Sequence, residues 1–211
     1  MNLLLALLIA FGLGLLAERL GWLRPNTAWA AALVGGLPLW AGGIPAALAV
    51  LFLVALGSAA SRLNPNSHDR SGRTAFQVLA NGLPAALGIA LGSPTYFLAA
   101  LATAAADTLA TEVGSHSKTA WHPCKGRVKA GTNAAVSWLG TTALGIGALL
   151  FAPWAVLLGV PVWAVVVGGV SGALLDTLLG LWEDRHDWWS NHLTNLLAST
   201  AGGLIAVLLT K

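Results

Sequence analysis

Residues 103–114 read T-A-A-A-D-T-L-A-T-E-V-G and end a long run of small and apolar residues with two carboxylates, Asp107 and Glu112. An ionisable group inside a membrane segment costs about 2.5–3.5 kcal/mol on insertion scales, so such a group usually serves a function. A second Asp-Thr-Leu begins at Asp176, in a similarly apolar setting. The two acidic segments predict one polar site inside an otherwise apolar bundle.

The composition is that of a membrane protein with several spanning helices. Of the 211 residues, 56% are hydrophobic and 9% are charged, whereas soluble domains carry about 25% charged residues. We expect a single all-α membrane domain, a polytopic helical bundle with peripheral helices in 1–62 and the working helices and cytoplasmic loops in 70–205. The one cysteine, Cys124, excludes an internal disulfide and a zinc site built from several cysteines.

Turn signals such as Arg24-Pro25-Asn26 and Gly42-Gly43 divide the chain into about eight spanning helices, or seven if the second and third form a re-entrant pair. With eight spanning helices, every Lys and Arg except Lys211 falls on one side of the membrane. Positive charge concentrates in cytoplasmic loops, so we predict a protein of the inner cell membrane with both termini outside. The predicted spans are 2–21, 26–41, 44–62, 75–92, 95–113, 132–151, 154–181 and 190–209.

Polar side chains recur at helical spacing on five of these spans. At about 1.5 Å per residue, Asn81, Asp107 and Asp176 reach a common depth of roughly 9 Å from the cytoplasmic end, with Asn133 and Asn195 slightly shallower. This convergence predicts a pocket open to the cytoplasm, although single Ser and Thr residues often only bond one helix to another. The stripes are Arg73-Gln77-Asn81, Thr103-Asp107-Thr111, Asn133-Ser137-Thr141, Gly172-Asp176-Gly180 and Asn191-Asn195-Ser199.

Carboxylates that share one layer repel each other unless a cation joins them. Oxygen ligands with few histidines favour magnesium over zinc, so we predict Mg²⁺ bound by Asp107, Glu112 and Asp176. None of the five histidines has a nucleophile at a recognisable spacing. We expect the histidines to be solvated in loops.

Basic groups near the same layer predict phosphate binding by Arg73, Lys125 and Arg127. Gly131-Thr132-Asn133 places a turn before a predicted helix N-terminus, where backbone N–H groups and the helix dipole favour an anion. The segment is not a P-loop, because the G-x-x-x-x-G-K-[ST] spacing is absent.

Five motifs follow one another between residues 70 and 205: Q-V-L-A-N-G (77–82), A-D-T-L-A-T-E-V-G (106–114), G-T-N-A-A-V-S-W-L-G-T (131–141), G-A-L-L-D-T-L-L-G (172–180) and N-H-L-T-N (191–195). In these motifs and their order, the chain resembles the integral membrane family that includes plant and cyanobacterial phytyl-phosphate kinase. The first three spans match that family only in hydropathy. Leu83 and Ala134-Ala135 stand where relatives often have glycine.

The resemblance implies a membrane enzyme that transfers a phosphoryl group from CTP, or from another nucleoside triphosphate, to an isoprenyl monophosphate such as phytyl or geranylgeranyl phosphate. Membrane lipid would surround the prenyl tail, and no nucleic-acid partner is expected. Two alternatives remain open: a CTP-dependent cytidylyltransferase that acts on a lipid phosphate, and a transporter for a cation or a phosphorylated metabolite. The implied catalytic residues are Arg73, Asp107, Lys125 and Asp176, and the implied substrate-binding residues are Asn81, Arg127, Gly131, Thr132, Asn133, Ser137 and Asn195.

Overall fold

The computed structural model describes all 211 residues of the chain. It contains eight helices and, in one connection, a two-stranded antiparallel hairpin. The predicted all-α class is confirmed. The small hairpin was not predicted. The helices are α1 Leu3–Arg19, α2 Ala28–Leu63, α3 Ala75–Ala90, α4 Pro94–Gly114, α5 Trp138–Leu149, α6 Ala152–Leu157, α7 Val162–Glu183 and α8 Asn191–Leu208, and the strands are β1 Ala120–His122 and β2 Gly126–Val128.

The outer surface of the bundle carries many large apolar side chains, including Leu8, Leu48 and Leu204. Soluble monomers rarely expose large contiguous apolar patches, whereas lipid solvates them, so this is the surface of an integral membrane protein. The three segments that are long and apolar enough to cross a bilayer by themselves are Ala28–Leu63, Trp138–Leu157 and Val162–Glu183. The number of spans remains a prediction.

The α2 helix reverses its direction at Gly43, where φ is 67° and ψ is −161°. Before the first turn of α2, the Thr27 N–H donates to the Glu18 carboxylate at 2.7 Å, and near the last turn the Arg62 guanidinium donates to the Leu20 carbonyl. Both ends of α2 therefore lie beside the end of α1. A positive φ costs glycine little, and the two halves of α2 correspond to the second and third predicted spans.

The α4 helix forms the centre of the bundle and contacts α2, α3, α5, α7 and α8. The side chains from Phe97 to Ala102 have no exposed surface. Glycines let neighbouring helices approach α4 closely: a Cβ atom at Gly169 would lie 2.7 Å from the Ala102 Cβ, and one at Gly147 would lie 2.7 Å from the Ala106 Cα. These contacts hold α4 between α5 and α7.

Four connections meet at one end of the bundle, which we call the loop end. The Asn64 side chain donates to the Ser115 hydroxyl at 3.0 Å, and Lys125 Nζ donates to Asp184 at 3.0 Å. Every Lys and Arg except Lys211 lies at or beside this end, as the charge pattern predicts. The connections are residues 20–27, 64–74, 115–137 and 184–190.

The boundaries predicted for the sixth and seventh spans, 132–151 and 154–181, are wrong. Positive φ angles at Gly131 (85°) and Ala134 (56°) keep the preceding segment out of a helix. The α5 helix therefore begins at Trp138, after the Ser137 hydroxyl has accepted a hydrogen bond as its N-cap. Gly159, with φ of 68°, then separates the short α6 from α7.

Two of the predicted helical stripes are consequently interrupted. Arg73 precedes α3, whose N-cap is Thr74, so only Gln77 and Asn81 of that stripe share a helix. Asn133 lies in the turn before α5. Arg73 and Asn133 therefore lie in connecting segments at the loop end, whereas Gln77 and Asn81 lie on a helix.

Candidate functional site

A polar cavity, which we call the inner cavity, lies among α3, α4 and α8 at the loop end. Its volume is about 120 Å³, and none of its ten lining residues is hydrophobic. A water molecule needs only about 10–15 Å³ of such room, so the cavity can hold several waters or a phosphate group with an ion. Among its lining residues are Arg73, Asn81, Asp107, Glu112 and Asn195.

Two aspartates from different helices lie close together, and one of them, Asp107, lines this cavity. Asp107 lines it from α4, and the carboxyl group of Asp176 on α7 lies within hydrogen-bonding reach of the Asp107 carboxyl group. Gly172 permits the approach of the two helices, because a Cβ atom there would lie 2.4 Å from the Thr103 hydroxyl. Two ionised carboxylates in contact repel each other strongly. The pair is therefore suited to a cation or to a shared proton.

Arg73 supplies a positive charge to the lining of the inner cavity. No carboxylate lies within salt-bridge distance of its guanidinium, and its one side-chain hydrogen bond, to the Ser58 hydroxyl, is long at 3.5 Å. Burial lowers the pKa of Arg73, and the carboxylates of Asp69 and Glu112 oppose that shift. An arginine stays charged in proteins. Because this guanidinium makes only one long hydrogen bond and no ion pair, its remaining N–H donors are free to bind an anion.

Glu112 is held by neutral donors. Its carboxylate accepts hydrogen bonds from the Ser61 hydroxyl at 2.6 Å, the Ser67 hydroxyl at 2.6 Å and the Asn64 amide at 2.7 Å. The Glu112 side chain is buried, so these bonds fasten the second half of α2 and the following loop to α4. The third predicted span, part of the region 1–62 that was expected to be peripheral, thus supports the wall of the site through Ser61.

Two asparagines complete the polar wall. The Asn81 amide donates to the Gln77 carbonyl at 3.1 Å, which leaves its own oxygen free. Asn195 is buried, and its Oδ1 atom has no hydrogen-bond partner. A buried acceptor without a partner is costly, so Asn195 indicates that a bound group or water completes the inner cavity.

The three carboxylates predicted as metal ligands do not form one cluster. No group of three or more His, Cys, Asp and Glu side chains lies close enough to bind one ion. Asp107 and Asp176 meet, whereas Glu112 is occupied by its three donors. Magnesium usually takes one or two protein carboxylates and completes its shell with water and phosphate oxygens. The aspartate pair with the free oxygen of Asn195 fits that requirement.

The other predicted phosphate-binding residues lie away from the inner cavity, on the hairpin and the turn that follows it. Lys125 donates to the Asp184 carboxylate at 3.0 Å, and Arg127 is exposed on β2. The Thr132 hydroxyl donates to the Lys129 carbonyl at 2.7 Å. The remaining members are Gly131, an exposed turn residue, and Ser137, the N-cap of α5.

Asp184, which the sequence analysis did not select, anchors this second group of residues. Its Oδ1 atom accepts a hydrogen bond from the Asn133 amide at 2.9 Å, and its Oδ2 atom accepts one from Lys125. The hydrogen bond from Asn133, followed by that from Lys125, holds the pKa of Asp184 below its usual range. Asn133 also donates to the Gly180 carbonyl at 3.1 Å. The hairpin is thereby attached to the end of α7.

His122 contradicts the expectation that all the histidines are solvated. Its side chain is 2% exposed, because β1 turns it inward while Trp121 points outward. The alternation of side chains along a short strand would have predicted the burial of His122, but the strand itself was not predicted. Glycine at position 126, with φ of 69°, is the local clue to the turn.

Comparison with known proteins agrees with a membrane location and leaves the chemistry open. Residues 8–203 match the profile of the family described as integral membrane protein DUF92. The chain is 28% identical over 224 residues to the uncharacterized membrane protein MJ0933 of Methanocaldococcus jannaschii, with 99% of this chain and 94% of that protein covered. No solved structure matches the chain. The protein therefore belongs to the DUF92 family of integral membrane proteins.

Proposed function

We propose that this protein is a membrane-embedded phosphotransferase that passes a phosphoryl group from CTP to an isoprenyl monophosphate. The observation that carries the proposal is the meeting of Asp107 and Asp176 beside a wholly polar cavity that also contains Arg73. Phosphoryl transfer needs positioning and charge neutralisation more than covalent chemistry from the protein. The motifs shared with the phytyl-phosphate kinase family support the choice of nucleotide and acceptor.

Each part of the inner cavity has a role in this reaction. Asp107 and Asp176 would hold Mg²⁺, which would neutralise charge on the transferred phosphoryl group. Arg73 binds phosphate oxygens with its free donors. Asn81 and Asn195 orient the phosphate or the waters of the ion. Glu112 keeps the surrounding loop in place through its three hydrogen bonds.

The acceptor requires no strong general base in this scheme. A prenyl monophosphate is already ionised at neutral pH, so its oxygen can attack the terminal phosphorus of the nucleotide without transfer of a proton to the protein. CDP is the leaving group, and the product is the prenyl diphosphate. The prenyl tail remains in the apolar surroundings of the bundle, where leucine side chains face outward.

A transporter is less consistent with the shape of the cavity. Transporter sites lie near the middle of the bilayer, with access from both sides in turn. Here the inner cavity lies at the loop end, and the α4 residues beyond it, from Phe97 to Ala102, have no exposed surface. Thr103 is also buried and donates to the Ala99 carbonyl at 3.0 Å. The core beyond the aspartates is therefore closed by packing.

The test is a product assay with purified protein, Mg²⁺, CTP radiolabelled at the γ-phosphate, and a panel of prenyl monophosphates. The proposal predicts a labelled prenyl diphosphate together with CDP. Release of labelled pyrophosphate with transfer of the cytidylyl group (CMP) to the lipid phosphate would identify a cytidylyltransferase instead. No labelled lipid from any acceptor, with protein that remains folded, would contradict the kinase.

A further inference from the structure

A second cavity lies about two helical turns farther out than the aspartate pair. We call it the outer cavity, and its volume is about 160 Å³. Asp184, the residue that caps the end of α7, lies on its wall, eight residues after Asp176, which corresponds to roughly 12 Å along the helix axis. The lining residues are His122, Cys124, Lys125, Leu181, Asp184 and Arg185.

The tautomer of His122 follows from its hydrogen bonds. The backbone N–H groups of Cys124 and Lys125 both donate to its Nδ1 atom, at 3.0 and 3.1 Å. An imidazole nitrogen that accepts hydrogen bonds carries no proton, so the proton lies on Nε2. His122 therefore presents an N–H donor from the wall of the outer cavity.

This donor has no partner within the protein. The Nε2 atom of His122 is buried without a hydrogen bond, and the nearest carboxylate oxygen, of Asp184, is 3.9 Å away. That separation is too long for a hydrogen bond. A side chain with 2% exposure is thus held with its polar atom unsatisfied, and a bound acceptor would remove that cost.

The charges around the cavity select the kind of acceptor. Lys125 and Arg185 contribute two positive charges, and Asp184 contributes one negative charge. Both Asp184 oxygens are already engaged, by Asn133 and Lys125. The charged side chains that line the cavity therefore carry a net charge of one positive unit, beside the neutral N–H donor of His122. These features match a compact anion that offers several oxygen acceptors.

We infer that the outer cavity is a second phosphate-binding site, in which His122 Nε2 and Arg185 donate to phosphate oxygens and Asp184 orients Lys125. The same chemistry suits the phosphate of a soluble nucleotide and the phosphate of a lipid headgroup. The inference does not depend on the proposed kinase reaction, because it concerns binding at residues outside the inner cavity.

The direct test uses magic-angle-spinning NMR of protein labelled with ¹⁵N-histidine in phosphatidylcholine liposomes without magnesium. The resonance of His122 Nε2 is assigned by its loss in His122→Phe. We expect it to shift when a phosphate source is added, while the other histidine resonances stay in place. A response to inorganic phosphate or CTP identifies a soluble ligand, and a response only to liposomes containing phosphatidic acid identifies a headgroup.

A matched pair of variants separates a built site from general attraction of anions. Arg185→Gln should raise the half-saturating concentration of the responding ligand by about tenfold or more, since hydrogen bonds to charged groups are strong. Lys129→Gln removes the same charge from an exposed position outside the cavity and should change the half-saturating concentration little. An unmoved His122 resonance in every arm, or equal effects of the two variants, would overturn the inference.

Discussion

At the scale of single residues, the site depends on carboxylates that play different parts. Asp107 and Asp176 lie close enough for their carboxyl groups to interact, so the ionised pair needs a counter-charge. Glu112 accepts three hydrogen bonds from neutral donors. The sequence predicted all three carboxylates as metal ligands, because all three lie in apolar helices at the same end. Only the partners of each side chain distinguish them.

Substitution of Asp107 or Asp176 by asparagine should abolish turnover and leave the fold intact. Asparagine preserves the shape of the side chain but removes the charge that the proposed ion needs, and the repulsion within the pair disappears as well. Phosphate transfer is measured beside thermal unfolding, with Asp187→Asn as the control because Asp187 is exposed in the α7–α8 loop. Near-normal turnover in both site variants would remove the role of the pair.

Replacement of Glu112 by alanine should lower stability as well as activity. Three donors would lose their acceptor, and hydrogen bonds to charged groups contribute about 1.5–3 kcal/mol each, so a loss of roughly 3 kcal/mol or more is expected. Asp187→Ala, at an exposed position, should change stability by less than about 0.5 kcal/mol. Thermal unfolding in detergent measures both. An unchanged melting temperature for Glu112→Ala would show that its hydrogen bonds are dispensable.

At the scale of elements, close helix contacts at glycines determine how far the acidic helices approach. A Cβ atom at Gly202 on α8 would lie 2.1 Å from the Thr103 hydroxyl on α4 and 2.9 Å from the Gly168 carbonyl on α7. Three helices therefore meet at one glycine, immediately beyond the site. By contrast, a Cβ atom at Gly145 on α5 meets nothing within 4 Å.

Gly202→Ala should therefore destabilise the protein by about 1–3 kcal/mol, because overpacking forces the helices apart. Gly145→Ala is the matched control and should be neutral or stabilising by up to about 1 kcal/mol, since alanine favours a helix over glycine. Thermal unfolding compares the two. Similar melting temperatures for both variants would contradict the close packing of α4, α7 and α8.

The attachment of the hairpin to α7 should depend on pH through Asp184. The pKa of Asp184 in the folded protein is lowered by the Asn133 amide and Lys125. Its contribution to the stability of the attachment is therefore complete above the ordinary aspartate pKa of about 3.9. That contribution is lost as the pH falls through the lower folded value. A spin label on Cys124, the sole cysteine, should therefore stay immobile down to about pH 4 and become mobile only as the pH falls further.

Two variants provide the controls for this pH dependence. Asp184→Asn should make the label mobile at neutral pH, because the charge that holds Lys125 is gone. Asp187→Asn should behave as the parent protein, since Asp187 lies outside the contact. A label on Cys124 that stays immobile through the acid range in the parent protein would contradict this attachment.

At the scale of the whole molecule, hydrophobic length and the positions of the turns predicted most of the helical framework. The helices α1, α3, α4 and α8 begin and end close to their predicted limits, and the glycine pair at position 42–43 correctly marked a reversal. The segment before α5 was missed because Ala134 adopts a positive φ that nothing local requires. The burial of His122 was missed because β1, which turns its side chain inward beside Asp184, was not predicted.

The convergence of the loops at one end predicts the orientation in the membrane. Cys124, in the hairpin, and a cysteine introduced at Asp187 should both react with an impermeant maleimide added from the cytoplasmic side. A cysteine introduced at Thr210 in a Cys124→Ser background should react only from the opposite side, because α8 runs away from the loop end. Labelling of position 210 and Cys124 from the same side would contradict the arrangement.

The most direct test of the central claim measures the ion itself. Mn²⁺ replaces Mg²⁺ at oxygen sites and is observed by electron paramagnetic resonance. Mn²⁺ titrated into the purified protein with a prenyl monophosphate should bind the parent and Asp187→Asn equally, and should bind Asp107→Asn and Asp176→Asn far more weakly. Equal binding of Mn²⁺ by all four proteins would contradict the assignment of the aspartate pair as the metal site.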